Sequence, residues 1–270
     1  INCGRCIAAC PFGAVHEKSQ IIDILKAIKS DKKVIAMIAP SIAGQFPGNI
    51  YQLKSAIIKV GFDDVYEVAQ GADITAENEA KEFMERMSEG KNFMTTSCCA
   101  GYNQLIKKHL PEIKPFVSDT KTPLYYTAEI VKKEHPNAET VFISPCFAKR
   151  KEALDNPNVN NVLNFEELGA ILIAFGIEVD TCESKTYDFK SSKEARDFPL
   201  SGGVARAVQA AWKGNPEDLR PTVINGLTKA TVRDLRMYAK TGKCQLGNLI
   251  EVMSCEGGCI AGNAGLNTVK

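Results

Sequence analysis

Ten cysteines stand in a chain of 270 residues, and their spacing carries more information than their number. They fall as Cys3/Cys6/Cys10, Cys98/Cys99, Cys146 and Cys255/Cys259, with Cys182 and Cys244 apart. Disulfide frameworks suit short, loop-rich secreted chains, whereas these thiols are spread through a long chain with helix and strand patterning. Soft-metal ligation is the chemistry such thiolates serve best. The histidines, His16, His109 and His135, are far apart in sequence, so a histidine-built zinc or iron site is not expected. Cys182 and Cys244 are read as structural thiols.

The stretch Cys3-x2-Cys6-x3-Cys10-Pro11 matches most of the bacterial ferredoxin run C-x2-C-x2-C-x3-C-P. Short spacers let successive thiolates wrap one cubane, and the proline redirects the chain. A zinc knuckle is the alternative, and the Cys-Pro ending fits iron–sulfur binding better. The first cysteine of the run would fall one residue before Ile1, so the chain is expected to begin inside the motif.

The other cysteine groups need elements to bring them together. Lys33 to Ile38 reads as a buried strand ending at Ala39-Pro40-Ser41, with a helix capped by Ser19 before it and another over Ile50–Val60. Short strands are expected at Val65–Val68, Asn92–Thr96, Thr140–Ser144 and Leu249–Met253. Helices are expected over Ala72–Met87, around Leu105, from Pro123, over Phe165–Phe175, from Gly202-Gly203 toward Trp212, and over Thr231–Thr241. This alternation predicts an α/β fold of two lobes, with parallel sheets flanked by helices. Cys98/Cys99, Cys146 and Cys255 each lie just past a strand, where open α/β sheets gather their ligand sites. Groups distant in sequence are thus expected to meet.

Composition sets outer limits. Apolar residues make up 44% and charged residues 24%, with a net charge of +1. No single-sign field points to nucleic acid or an anionic membrane. No apolar run approaches the roughly 20 residues that span a bilayer. No signal peptide is evident, and a cytoplasmic setting is expected.

Three segments carry a resemblance: Thr96-Ser97-Cys98-Cys99-Ala100-Gly101-Tyr102, Ser144-Pro145-Cys146-Phe147-Ala148-Lys149-Arg150-Lys151-Glu152, and Glu251-Val252-Met253-Ser254-Cys255-Glu256-Gly257-Gly258-Cys259. In order and spacing they resemble the three signature loops of iron-only hydrogenases, and the likeness covers essentially everything after residue 30. It implies a ferredoxin-like 4Fe-4S remnant over residues 1–18, with Cys3, Cys6 and Cys10 as ligands, and an iron-only hydrogenase catalytic domain of two lobes over 19–270. By resemblance, Cys99, Cys146, Cys255 and Cys259 hold a 4Fe-4S cluster, and Cys259 also bridges to a diiron unit carrying CO, cyanide and dithiolate ligands, the H-cluster. Four thiolates fit a cubane on chemical grounds as well.

The resemblance assigns further roles. Cys98 would pass protons to and from the bridging amine of the dithiolate, where the bland reading is a small packing residue. Lys149 would donate to one cyanide, where an exposed Lys149–Glu152 pair is the default. Ala39-Pro40-Ser41 would touch the other cyanide, and Phe198 would wall the diiron pocket with Met253 lining it. Glu79, Glu82 and Arg86 share one helix face, which by itself reads as a solvated surface with an i,i+4 ion pair. The resemblance turns these residues and Ser118 into a proton path running from Arg86 and Glu82 through Ser118 and Glu79 to Cys98. It also implies a ferredoxin-type electron carrier, maturation proteins that insert the diiron unit, and anaerobic hydrogen metabolism.

The chain departs from the family pattern. Ala100 and Tyr102 stand where proline and tryptophan are usual, Ser144 replaces a methionine, Leu124 a glutamine, and Glu256 a proline, while Asn263-Ala264-Gly265 breaks a glycine-rich ending. These changes are expected to alter polarity and packing around the diiron unit. The activity implied is the reversible reduction of protons to H2. Alternatives are a hydrogen-sensing regulatory protein with the same cofactor and a non-catalytic iron–sulfur assembly protein.

Overall fold

The computed structural model describes residues 1–186 and 190–267. Residues 187–189 and the last three positions of the expected 19–270 domain lie outside the described residues. Among the described residues, seven strands form two parallel sheets. They are β1 Val34–Ile38, β2 Asp64–Glu67, β3 Met94–Thr95, β4 Glu139–Ser144, β5 Asn161–Asn164, β6 Pro221–Asn225 and β7 Leu249–Met253. The first sheet runs β2-β1-β4-β5 and the second β3-β7-β6. The expected pair of parallel-sheet lobes is therefore observed. Every residue of β1 and of β7 is buried. That is why each reads as a near-continuous apolar run instead of an alternating one.

The helices are α1 Arg5–Ala8, α2 Ile21–Ile28, α3 Ile50–Val60, α4 Ala69–Ser88, α5 Ala100–His109, α6 Pro123–Glu134, α7 Phe147–Leu154, α8 Phe165–Ala174, α9 Lys193–Arg196, α10 Gly203–Ala211 and α11 Lys229–Thr241. Asn49 and Asn164 each form a capping box, with Gln52 and Glu167 respectively, and so satisfy otherwise free amides at the starts of α3 and α8. The first sheet packs with α3, α6 and α8 through residues such as Met37, Ile57, Ala128 and Phe165. One side of the second sheet meets α4 and α10 through Phe83, Met94 and Val208. Its other side meets α5 and α11 through Tyr102, Ile106, Leu235 and Tyr238.

Helix α4 packs against both α6 and α10. Its approach to α6 depends on Gly71, where a Cβ would lie 2.1 Å from the Pro123 carbonyl oxygen. This close crossing sets the direction of the face that carries Glu79 and Glu82.

Several local expectations change. Gln20, not Ser19, occupies the N-cap of α2, and Ser19 Oγ accepts the Ile21 amide at 3.3 Å instead. The strand expected over Asn92–Thr96 shrinks to two residues, because β3 is an edge strand. Helix α4 begins at Ala69, three residues before the expected start. Strands β5 and β6 and helix α7 were not expected. The strands are short, and β6 opens on a proline, which an edge strand tolerates.

Residues 17–20 are tied to the first lobe by Arg150. Its Nη1 donates to the Lys18 carbonyl at 2.8 Å and its Nη2 to Glu167 at 2.8 Å, while Nε lies 2.7 Å from Glu17 as an ion pair off hydrogen-bond alignment. The three side chains are 12%, 10% and 17% exposed, so removing the cation strands two carboxylates in a poorly hydrated place. Arg150→Ala is predicted to cost about 3 kcal/mol of stability, read as a lower urea midpoint with an unchanged slope. A loss within experimental error would refute the clasp.

Candidate active site

The carboxyl ends of both sheets open on one cavity of about 90 Å³. Its walls come from the segments that follow four strands. Ala39, Pro40 and Ser41 follow β1, and Cys98, Cys99 and Ala100 follow β3. Ser144, the last residue of β4, is joined by Cys146 and Lys149, while β7 ends in Met253 and is followed by Cys259. Phe198 and Pro199 close it ahead of α10. All the residues expected to touch the cofactor therefore meet, apart from Cys255, which sits beside the wall. The Ser254 hydroxyl and amide contact Cys99 Sγ at 3.3 and 3.4 Å and hold these two loops together.

Cys146, Cys255 and Cys259 lie close enough to Cys99 for its charge to oppose their ionisation. Burial pushes Cys146 up to about 12, and the thiolate of Cys99 adds to the shift. Burial and then Cys99 push Cys255 up to about 11. Cys259 is also raised, by burial and then by Cys99, Cys146 and Cys255. Such a site holds four thiolates together only when cations lie between them. Among the described residues, no three His, Cys, Asp or Glu side chains lie close enough to share a single metal ion. A cubane with one thiolate on each corner iron needs ligands set wider than that. Ser41 adds a second sign of fit, since its buried Oγ has no hydrogen-bond partner among the described residues and lines the cavity. These residues fit a four-iron cluster carrying a polar, acceptor-bearing extension.

Lys149 brings a cation to the cavity. Its ammonium donates to the Cys98 carbonyl at 3.2 Å and to Glu152 at 2.8 Å. Burial acts to lower its pKa, but the Glu152 carboxylate and the thiols Cys146 and Cys98 outweigh burial and hold it above the usual value. Only 13% of the side chain is exposed, so the pair is a buried one and not the surface pair that residue types alone would give.

A polar line leads away from Cys98 along α4. Cys98 is buried, and burial followed by the charge of Glu79 keeps its thiol protonated. Glu79 is fully buried and pushed up to about 7, chiefly by burial. One of its oxygens accepts the Ser97 amide at 3.0 Å, while the other has no hydrogen-bond partner among the described residues. Ser118 donates to Glu82 at 2.6 Å, so its proton is committed there and not to Glu79. Burial acts to raise Glu82, yet bonds from Ser118, the Asp119 amide and Thr120, together with Arg86, outweigh it and lower its pKa. Arg86 pairs with Glu82 at 2.6 Å and with Asp119 at 2.9 Å. Arg86, Glu82 and Ser118 are thus in direct contact, and the links from Ser118 to Glu79 and from Glu79 to Cys98 are not closed hydrogen bonds.

Ser97, Thr120 and Glu152 were missed as members of this site. Ser97 lies inside a motif that was recognised, but only the fold turns its amide onto Glu79. The departures from the family pattern separate into two groups. Ala100, Leu124 and Ser144 line the cavity. Tyr102 does not line it, because its ring is fully buried in the core and its hydroxyl meets Thr95 Oγ1 at 3.0 Å. Glu256 is exposed. Tyr102 and Glu256 therefore lie off the cavity lining.

Of the N-terminal cysteines, Cys3 approaches the site. Its charge acts on Cys255, and Asn263 Nδ2 donates to its carbonyl at 2.7 Å. Arg5 donates to the carbonyls of Leu227 and Ser254 at 3.1 and 3.4 Å. Cys6 is exposed. Cys10 is held below its ordinary pKa by the amides of Ala14 and Phe12. Cys182 and Cys244 are buried away from the cavity. No described helix is long and apolar enough to cross a membrane.

The profile of the iron-only hydrogenase large subunit, C-terminal domain, matches residues 32–263, and the chain belongs to this family. Its relatives include the NADP-reducing hydrogenase subunit HndD of Solidesulfovibrio fructosivorans, 28% identical over 97% of this chain and 55% of that protein. Iron hydrogenase 1 of Clostridium pasteurianum is 27% identical over 93% of this chain and 53% of its own length. The chain thus spans about half the length of these relatives. A probable cytosolic Fe-S cluster assembly factor of Nematostella vectensis is 24% identical, over 87% of this chain and 64% of that protein. A variant of apo FeFe-hydrogenase HydA1 from Chlamydomonas reinhardtii shares the fold with a TM-score of 0.76 at 21% identity, covering 94% of this chain and 86% of that one.

Glu79 has a measurable thermodynamic consequence. Its folded pKa of about 7 exceeds the ordinary value of 4.5, so between these limits the folded chain keeps a proton that the unfolded chain releases. Its contribution to stability therefore falls as pH rises through that window. Glu79→Gln, which stays neutral, is predicted to gain stability relative to the parent between about pH 4.5 and 7. Parallel urea curves for the two proteins across that range would contradict the assignment.

Proposed function

We propose that this chain reduces protons reversibly, 2H+ + 2e− ⇌ H2, at a 4Fe-4S cluster bridged to a diiron unit. Cys99, Cys146, Cys255 and Cys259 would hold the cluster, with Cys259 on the side of the diiron unit. When bound, the group supplies the two-electron redox chemistry. Ser41 and Lys149 orient it, the first as a neutral donor and the second as a buried cation offsetting its anionic ligands. Ala39, Pro40, Phe198 and Met253 exclude water.

The observation that carries this reading is Cys98. A protonated thiol faces the cavity beside a cluster ligand and next to a buried carboxyl poised near neutrality. A group that both gives and accepts protons at working pH is what proton delivery requires. Glu82, held ionised by Arg86 and three donors, then collects protons at the outer end, with Ser118 between the two carboxyls. Small rotations of Ser118 and Glu79 would close the two open links. Electrons enter on the Cys255 side from a cluster on Cys3, Cys6 and Cys10, supplied by a ferredoxin or similar carrier. Maturation proteins insert the diiron unit, and the setting is cytoplasmic.

The likeness to an iron–sulfur assembly factor favours a second reading, a non-catalytic iron–sulfur protein. The two readings differ in infrared absorption. Protein matured anaerobically with the diiron accessory proteins is predicted to show CO and cyanide stretches, and their absence would sink the diiron assignment. Cys98→Ala is predicted to keep those bands while losing on the order of 10²–10⁴ of H2 turnover. Unchanged turnover would end the relay role.

A further inference from the structure

Glu251 lies in the middle of β7, fully buried in an otherwise apolar strand, and the proton path does not use it. Its two oxygens accept the amides of Gly202 at 2.7 Å and Ala205 at 2.8 Å. Those amides open α10, whose N-cap is Gly202, a residue with no side chain to cap it. The carboxylate of a neighbouring strand therefore supplies the cap that the local sequence lacks. It also places a negative charge at the positive end of the α10 dipole.

The segment that this cap anchors runs directly over the third cysteine loop. Gly203 donates to the Leu200 carbonyl at 2.9 Å, and Ser201 donates to the Gly257 carbonyl at 3.1 Å. Leu200 and Gly258 form an antiparallel bridge. The Cys259 amide donates to the Pro199 carbonyl at 2.6 Å. The approach is so close that a Cβ on Gly258, at φ +90°, would lie 2.3 Å from that carbonyl oxygen. Phe198, at the head of the same segment, is a wall of the cavity.

We propose that Glu251 is a positioning residue. By capping α10 it fixes the segment Phe198–Ser201, and that segment holds Cys259 in place through the Pro199 carbonyl. Glu251 does not line the cavity, and its hydrogen bonds reach Cys259 only through the start of α10 and the Pro199 carbonyl, while its charge also acts on Cys98. The inference rests on the reading of Cys259 as a cluster ligand, and the test is built so that the two can fail separately.

Amide hydrogen exchange of the cluster-free chain carries the first arm. In Glu251→Ala the Gly202 and Ala205 amides lose their acceptors. The Ser201 and Cys259 amides, which Glu251 does not contact, are expected to exchange roughly tenfold faster or more, while amides of β1 and β4 keep their parental rates. Glu251→Gln keeps one carbonyl acceptor and is expected to fall between. If the alanine variant does not fold, the glutamine variant carries the same comparison. Unchanged Ser201 and Cys259 exchange overturns the proposal, and so does a uniform loss of protection in both sheets.

The second arm uses chain reconstituted with iron and sulfide alone. The electron paramagnetic resonance spectrum of the reduced four-iron cluster is expected to split into more than one species in Glu251→Ala, with partial recovery in Glu251→Gln. A parental spectrum in both variants overturns the proposal. If the parent chain takes up no cluster, the reading of Cys259 as a ligand fails, and the exchange arm still decides the role of Glu251.

Discussion

Four half-buried thiols where two sheet ends meet impose the main constraint on this fold. Burial raises the pKa of Cys146, Cys255 and Cys259, and the charge of Cys99 adds to each. Apolar packing alone offers no relief, because a low-dielectric site strengthens repulsion between like charges. Iron between the sulfurs would remove the conflict, and the protein supplies further compensation. Lys149 brings a cation held in place by Glu152. The backbone amides of Lys149 and Asn263 act the same way on Cys146 and Cys255. The surrounding elements are arranged around a centre that is unfavourable until it is filled.

Parallel sheets suit this task. Strands buried on both faces are rigid, and their carboxyl ends deliver loops to a common place without requiring those loops to be long. Cys99, Cys146 and Cys255 each lie within a few residues of a strand end. Two lines of polar groups lead away from the cavity through different elements. One follows α4 from Glu79 to Arg86. The other passes Cys255 and Ser254 toward Cys3 and Arg5. Keeping these lines in separate elements lets each be adjusted without disturbing the other.

The two carboxyls on α4 show how environment assigns roles to identical chemistry. They stand three residues apart on one helix face. Glu79 faces the core with one oxygen lacking a hydrogen-bond partner among the described residues, and burial raises it to about 7. Glu82 gathers Ser118, the Asp119 amide, Thr120 and Arg86, and these outweigh burial. A matched pair in sequence thus becomes a proton-holding inner group and an ionised outer one.

The sequence alone determined the class of fold and nominated the cysteine loops. Cysteine spacing within each loop is a short-range property, and the apolar runs of β1 and β7 follow directly from burial on both faces, so both are written locally. Short elements were illegible for the same reason. Four residues in β5 or two in β3 carry too little pattern, and their pairing partners lie far along the chain. Only the tertiary structure decided which polar groups meet. It turned Ser97 onto Glu79, withdrew Tyr102 from the pocket, buried the Lys149–Glu152 pair and set Glu251 against α10. Each of these contacts joins or reorients residues by long-range packing, through close approaches such as Gly71 on Pro123 and Gly258 on Pro199. Residue type and spacing can nominate such groups, but hydrogen-bond geometry and burial, which fix their charge and direction, exist only once the chain has folded.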